Sequence, residues 1–234
     1  MRCLMWPMRL GFCITKICLI NTVGRFQILG MNLLPCATPS RQVEFSHYLG
    51  YKDTWTCLAP WNALAVGLTA PDICNQVNMG KTTFAKAYRE VAEKERKLLD
   101  YAEPNPYAYS YNDACTAFAR GEAAMFPIGS YAISQIKSVN PDMNIDSFTF
   151  PANQSAKDNV LNSGIDLQMC VMKKAKNKDA VYEVLRFLYD DNTIKMYLDG
   201  QSGVACKEGN FSIPKELEGM KSYIEGDKMA DFQD

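Results

Sequence analysis

Between residues 82 and 198 the sequence alternates amphipathic helical periods with short apolar runs, and a turn or cap residue marks each change. Residues 82–99 put Phe84, Tyr88, Val91 and Leu98 on one face and Lys86, Arg89, Glu93, Lys94 and Lys97 on the other. Pro104 and Pro106 then act as a linker. Ser110 with Asp113 three residues on is a short variant of the capping box. Ala114, Ala117 and Phe118 give the following helix its apolar face, and Gly121 ends it. Residues 123–128 read as a buried strand broken by Gly129 and Ser130, and residues 131–137 as a helix stopped by Pro141. Residues 147–150 read as a strand, 152–163 as loop and 165–172 as the next strand. The clearest helix spans 179–190, with Val181, Val184, Leu185 and Leu188 in one stripe; Thr193 is placed to cap another through 198, with Gly200 as its stop. Strands alternating with helices predict an α/β or α+β protein in which helices cover a sheet.

Ahead of this patterned part lies a different text. Residues 1–50 carry four of the nine cysteines, five basic residues and one acidic residue, Glu44, which makes them formally +4. The remainder holds 20 basic and 25 acidic residues, or −5, so the near-zero charge of the whole is a sum of two unlike parts. The segment has poor helical or strand periodicity. It has early arginines and an apolar run interrupted by Lys16, but no clean small-residue cleavage site, so no convincing export signal is expected there.

Most chemistry is excluded by what is missing. A balanced charge gives no electrostatic footprint for nucleic acid, and no run of about 18 apolar residues encodes a membrane span. The one histidine, His47, lies in the leading segment, which leaves a Ser-His-Asp or Cys-His arrangement without its base. No two cysteines stand as C-x-x-C, so neither zinc-ribbon nor thioredoxin chemistry is written. Gly80-Lys81-Thr82 lacks the glycine of a phosphate loop, since Asn75 occupies that place, and reads as a helix start. No catalytic residue, cofactor or metal is expected. What stands out is an aromatic set, Trp55, Trp61, Tyr107, Tyr109, Tyr111 and Tyr131, at element starts and in loops, with Asp53, Asn62, Ser130 and Asp166 nearby. Flat apolar sugar faces stack on such rings, and hydroxyls need polar partners with fixed directions.

An ordered series of motifs resembles the extracellular solute-binding proteins (family 1) of carbohydrate ABC importers. F-A-R-G-E-A-A-M at 118–125, followed by Gly129-Ser130-Tyr131, is similar to their F-x-x-G-x-A-A-M run and G-S-W. Phe148-Thr149-Phe150-Pro151 resembles their P-F-P strand end, and Asn162 to Asp166 their glycine-rich turn. K-N-K-D-A at 176–180 and V-L-R-F-L at 184–188 resemble the start and body of a family helix. G-Q-S-G-V-A at 200–205 resembles the G-x-x-P-A turn, with Val204 in place of proline.

The resemblance implies a periplasmic-binding-protein fold of type II, two α/β lobes closing on sugar about a hinge. Residues 50–234 correspond to the hinge crossing and most of the second lobe. It implies ligand contacts from Trp55, Trp61, Gly129, Ser130, Tyr131, Gly164 and Asp166, with Tyr131 a smaller platform than the usual tryptophan. It implies a sugar or oligosaccharide ligand, permease subunits as partners, no catalysis, and work outside the cytoplasmic membrane, often lipid-anchored. A glycoside-processing α/β enzyme is the alternative, but it needs two facing carboxylates and only Asp166 offers itself. Residues 12–32, back-translated and read from the third base of each codon, can yield LYNKDMFDQYGWKIPNTWDE, the motif that the family carries ahead of this region. Residues 1–49 are therefore expected to be an out-of-frame or disordered, non-family segment, and the chain a fragment that stops before the family's C-terminal helices and binds sugar weakly. The nucleotide sequence around codons 1–50 tests this.

Overall fold

The computed structural model describes residues 12–21, 45–47, 50–165, 167–226 and 228–233. Among the described residues of the leading segment are two strands, β1 (Phe12–Asn21) and β2 (Phe45–His47). A 3-10 turn at Thr54–Cys57 leads into α1 (Leu58–Leu68), α2 (Ile73–Asn78), α3 (Phe84–Ala87) and α4 (Arg89–Leu98). Then come α5 (Tyr111–Ala119), β3 (Ala123–Gly129), α6 (Ala132–Val139), β4 (Ile145–Thr149) and β5 (Leu161–Ile165). The chain continues through α7 (Lys178–Leu188), α8 (Asp191–Gln201), β6 (Val204–Ala205), a 3-10 helix at Lys215–Met220, α9 (Lys221–Glu225) and β7 (Met229–Ala230). The fold class is α/β, and no helix among the described residues is long and apolar enough to cross a membrane.

β1 runs through the middle of the sheet. Its far half pairs antiparallel with β3, from Lys16 opposite Gly129 to Ile20 opposite Met125, and with β4, from Ile17 opposite Thr149 to Asn21 opposite Ile145. Its near half pairs antiparallel with β5 (Ile14 opposite Gly164) and β6 (Cys13 opposite Val204). β2 adds to β3 and β7 to β5, both parallel.

Helix caps explain the boundaries. The capping box at Ser110 and Asp113 forms in both directions: the Asp113 N–H donates to Ser110 Oγ at 3.2 Å and the Ser110 N–H to Asp113 Oδ2 at 2.9 Å. The predicted helix over 82–99 is two helices, because the backbone departs from helical geometry at Tyr88. α8 is capped by Asp190, whose carboxylate accepts the Asn192 N–H, rather than by Thr193, and it is closed by Ser202 in the left-handed region rather than by Gly200. The strand expected over 165–172 lies earlier, at Leu161–Ile165, and takes in the last three residues of the stretch read as loop.

Two main cores form. The larger joins α5, β3, α6 and β4 with the 3-10 helix at Lys215–Met220, through Phe118, Phe126, Ile128, Ile133, Ile136, Leu217 and Met220, all essentially unexposed. The smaller packs Ala63 and Leu64 of α1 on Val91 and Leu98 of α4, with Phe150 beside them. The stripe expected on α7 is covered in part: Leu185 is buried, whereas Val184 is 57% exposed.

Tyr51 and Ala102 form a small cluster with Cys57 and Leu99 against it, and the carboxylate of Glu95 on α4 accepts the Tyr51 hydroxyl at 3.2 Å. Burial pushes this carboxyl from its ordinary 4.5 up to about 7, against the opposing effect of the Tyr51 hydrogen bond. The folded state thus binds a proton that the unfolded chain has released, so stability falls as pH rises from about 4.5 to about 7. For a closed site the difference is roughly 3 kcal/mol; the solvent-open part of Glu95 reduces it to about 1–2 kcal/mol. Glu95→Gln keeps an acceptor for Tyr51 and is expected to be more stable than the parent by about 1–2 kcal/mol at pH 8, with the gap closing at pH 4.5. Urea unfolding at the two pH values checks this.

Candidate functional site

Three aromatic rings from distant parts of the chain meet at one surface. Trp55 comes from the 3-10 turn at Thr54–Cys57, Tyr111 is the first residue of α5, and Tyr131 stands between the end of β3 and α6. The Trp55 and Tyr111 ring centroids are 5.1 Å apart, Trp55 and Tyr131 6.0 Å, and Tyr111 and Tyr131 6.1 Å, with interplanar angles of 51–53°. These are the offset, tilted contacts that ring quadrupoles favour. Trp55 is 45% exposed, so the cluster presents an aromatic face to solvent rather than forming closed core.

Tyr111 and Tyr131 pack against the larger core. Burial raises the Tyr111 phenol above its ordinary range and pushes the Cys115 thiol up to about 12. Both groups therefore stay neutral near pH 7. Tyr131 lies across the bare Cα of Gly129: a Cβ built there would stand 2.1 Å from Tyr131 Cε1. Ser130 is fully buried, its carbonyl accepts the Ile133 N–H at 3.0 Å to open α6, and its Oγ has no hydrogen-bond partner among the described residues.

The remaining residues expected at the site fall elsewhere. Trp61, on α1, packs beside the smaller core with its ring 5.7 Å from that of Tyr88. Gly164, on β5, is covered by the chain's own last described residues: a Cβ there would meet the Phe232 ring at 2.4 Å and Asp231 Oδ1 at 2.5 Å. That segment continues to Gln233, whose amide nitrogen donates to Thr69 Oγ1 at 2.6 Å and whose oxygen accepts the Tyr88 hydroxyl at 2.8 Å. Gly164 thus lies under this tail and Trp61 beside Tyr88, and no ring contact joins Trp61 to the Trp55 cluster among the described residues. Asp166 lies outside the described residues. Asp53, two residues before Trp55, accepts the Tyr111 N–H on Oδ2 at 2.7 Å. Tyr111, which the sequence offered only as one of six aromatics, is the residue that spatial pairing adds.

The sequence model of the family described as bacterial extracellular solute-binding protein matches residues 49–193. The chain belongs to this family. Among its relatives, a multiple sugar-binding protein of Streptococcus mutans is 31% identical over 100 residues, which cover 43% of this chain and 24% of that protein. Two solved structures share the fold with a TM-score of 0.73 each. One is RafE in complex with raffinose, at 17% identity, covering 96% of this chain and 62% of that one; an apo form of RafE is from Streptococcus pneumoniae. The other is a sugar transporter of Bacillus licheniformis in complex with stachyose, at 13% identity, covering 95% and 62%. The chain therefore spans under two thirds of the chains in these two structures and about a quarter of the multiple sugar-binding protein.

Proposed function

We propose that this solute-binding chain carries part of the carbohydrate site of an ABC importer's substrate-binding component, with Trp55, Tyr111 and Tyr131 as the surface on which a sugar ring stacks. The observation that carries the reading is the three-ring cluster, in which Trp55 is 45% exposed and Tyr111 and Tyr131 are partly buried. Aromatic faces at mutual tilts offer an apolar wall to the C–H face of a pyranose. The family, a sugar-binding relative and two oligosaccharide complexes of the same fold support carbohydrate as the ligand class. In this reading residues 50–234 represent the hinge crossing and most of the second lobe, Gly129 and Ser130 seat Tyr131, Gly164 acts through the tail that covers it, and Trp61 acts from beside Tyr88. The component works outside the cytoplasmic membrane and passes its sugar to permease subunits. It needs no catalysis.

One open aromatic wall supports weak affinity, with Kd on the order of 1 mM, because each ring contact contributes only about 1 kcal/mol. Calorimetric and fluorescence titration with raffinose, stachyose and galactose tests the reading. A saturable change near millimolar sugar, lost in Trp55→Ala, is expected. No response to any of the three at about 50 mM overturns it.

A further inference from the structure

We infer that Asp53 is a positioning residue for the aromatic surface: its carboxylate ties the Trp55 turn to the first turn of α5 and so fixes Trp55 against Tyr111. Asp53 occupies the cap position of the 3-10 turn Thr54–Cys57, with extended backbone at φ −87° and ψ 95°, yet its side chain makes no cap bond to that turn. An aspartate there ordinarily satisfies its own helix. Here the backbone carbonyl alone closes the turn, accepting the Thr56 N–H at 2.9 Å and the Thr56 hydroxyl at 2.8 Å.

The carboxylate is thereby left for α5. The first N–H groups of a helix have no partner inside it. The capping box at Ser110 satisfies the Asp113 N–H, and the Tyr111 N–H, one of the remaining orphans, is taken by Asp53 Oδ2 at 2.7 Å across 58 residues of chain. The bond is charge-assisted, and the helix dipole favours an anion at that end. A backbone bond alongside it, from the Lys52 N–H to the Tyr109 carbonyl at 3.0 Å, turns the contact into a two-point clamp. The indole of Trp55 follows two residues after the clamp on one side, and the ring of Tyr111 belongs to the clamped residue on the other. The 5.1 Å ring separation is set by this one carboxylate more directly than by any ring contact.

That the positioned rings receive a sugar rests on the proposed function; that Asp53 positions them does not, and the test separates the two. The protein is labelled with 5-fluorotryptophan, giving fluorine resonances for Trp6, Trp55 and Trp61, and the Trp55 signal is assigned by its loss in Trp55→Phe. Asp53→Ala is expected to shift and broaden the Trp55 resonance while leaving that of Trp61 in place, and to weaken raffinose binding about tenfold, the loss typical of a hydrogen bond to a charged group. Asp53→Asn, which keeps an acceptor oxygen, is expected to restore the resonance and to bind within about twofold of the parent. Asp53→Glu keeps the charge but displaces the oxygens, and moves the Trp55 resonance even if Asp53→Ala does not fold. An unmoved Trp55 resonance in Asp53→Glu and Asp53→Ala overturns the proposal. So does an equal shift of Trp55 and Trp61 that Asp53→Asn fails to rescue, which is general destabilisation. A Trp55 shift in a protein that binds no raffinose supports the positioning role and sinks the sugar reading alone.

Discussion

Phe118→Ala is expected to lower the free energy of unfolding by about 3–5 kcal/mol, the largest loss from any single substitution considered for this chain. Phe118 is fully buried on α5, and its ring lies 6.2 Å from that of Phe126, equally buried on β3, at a tilt of 38°. The pair is the contact through which α5 covers the strand, in a core that also holds Ala114, Ala117, Ile128, Ile133 and Ile136. Removing one ring forfeits its transfer energy and leaves a void that helix and strand cannot both collapse into. For a chain of this length the melting temperature falls by about 10 °C or more. Thermal unfolding followed by circular dichroism checks it; a fall of under about 3 °C means that the α5–β3 packing is wrong.

That prediction bears on how the sequence could be read. The run F-A-R-G-E-A-A-M at 118–125 is recognisable because it is core and turn at once: Phe118, Ala123 and Met125 are buried and Gly121 turns the chain with φ +77°. Signals of this kind are local. Ser110 and Asp113 are three residues apart and bond to each other, so their pattern is complete in the text. The helix over 179–190 is likewise visible in its spacing and forms at Lys178–Leu188. The strand Leu161–Ile165 is not visible, because Asn162, Ser163 and Gly164 carry no strand preference of their own. It exists because β1 pairs with one edge and β7 with the other, and both partners lie far away in sequence. The stripe on α7 failed in the opposite sense: periodicity reports an apolar face, but not whether another element covers Val184.

The candidate site divides along the same line. Residue type marked Trp55 and Tyr131 as rings at element starts, and the structure brings them together. Residue type could not separate Trp61 from Trp55, since six positions in one sequence do not say that the former turns toward Tyr88 and the smaller core. Nor could it single out Tyr111, whose place depends on a carboxylate 58 residues earlier in the chain. Asp53 was legible as a polar neighbour of aromatics. Its bond to a backbone N–H was not, because an orphan donor at a helix start becomes apparent only once the helix and the facing turn are both in place.

Gly129→Ala is expected to act almost wholly through its neighbour's ring. The new methyl would stand 2.1 Å from Tyr131 Cε1, 2.7 Å from Cδ1 and 2.8 Å from Cζ, distances that no Cβ tolerates. Gly129 also sits opposite Lys16 in the β1–β3 ladder, so its backbone is held in register while the ring is the freer part. The ring of Tyr131 must leave, and with it go the contacts to Trp55 and Tyr111 at 6.0 and 6.1 Å. Two such contacts are together worth about 1–3 kcal/mol, and that is the expected loss of stability, accompanied by a weaker near-ultraviolet circular dichroism signal from Trp55. The decisive measurement is a double-mutant cycle with Tyr131→Ala. If Gly129 is required only to make room for the ring, the alanine at 129 costs under about 0.5 kcal/mol once the ring is gone, and the two losses fall well short of additive. Full additivity would mean instead that the strand itself rejects the methyl, and that Gly129 has no special tie to the aromatic surface. A small loss in the cycle, together with loss of the Trp55 signal in Gly129→Ala alone, ties a glycine with no polar side chain to the site through the one thing it lacks.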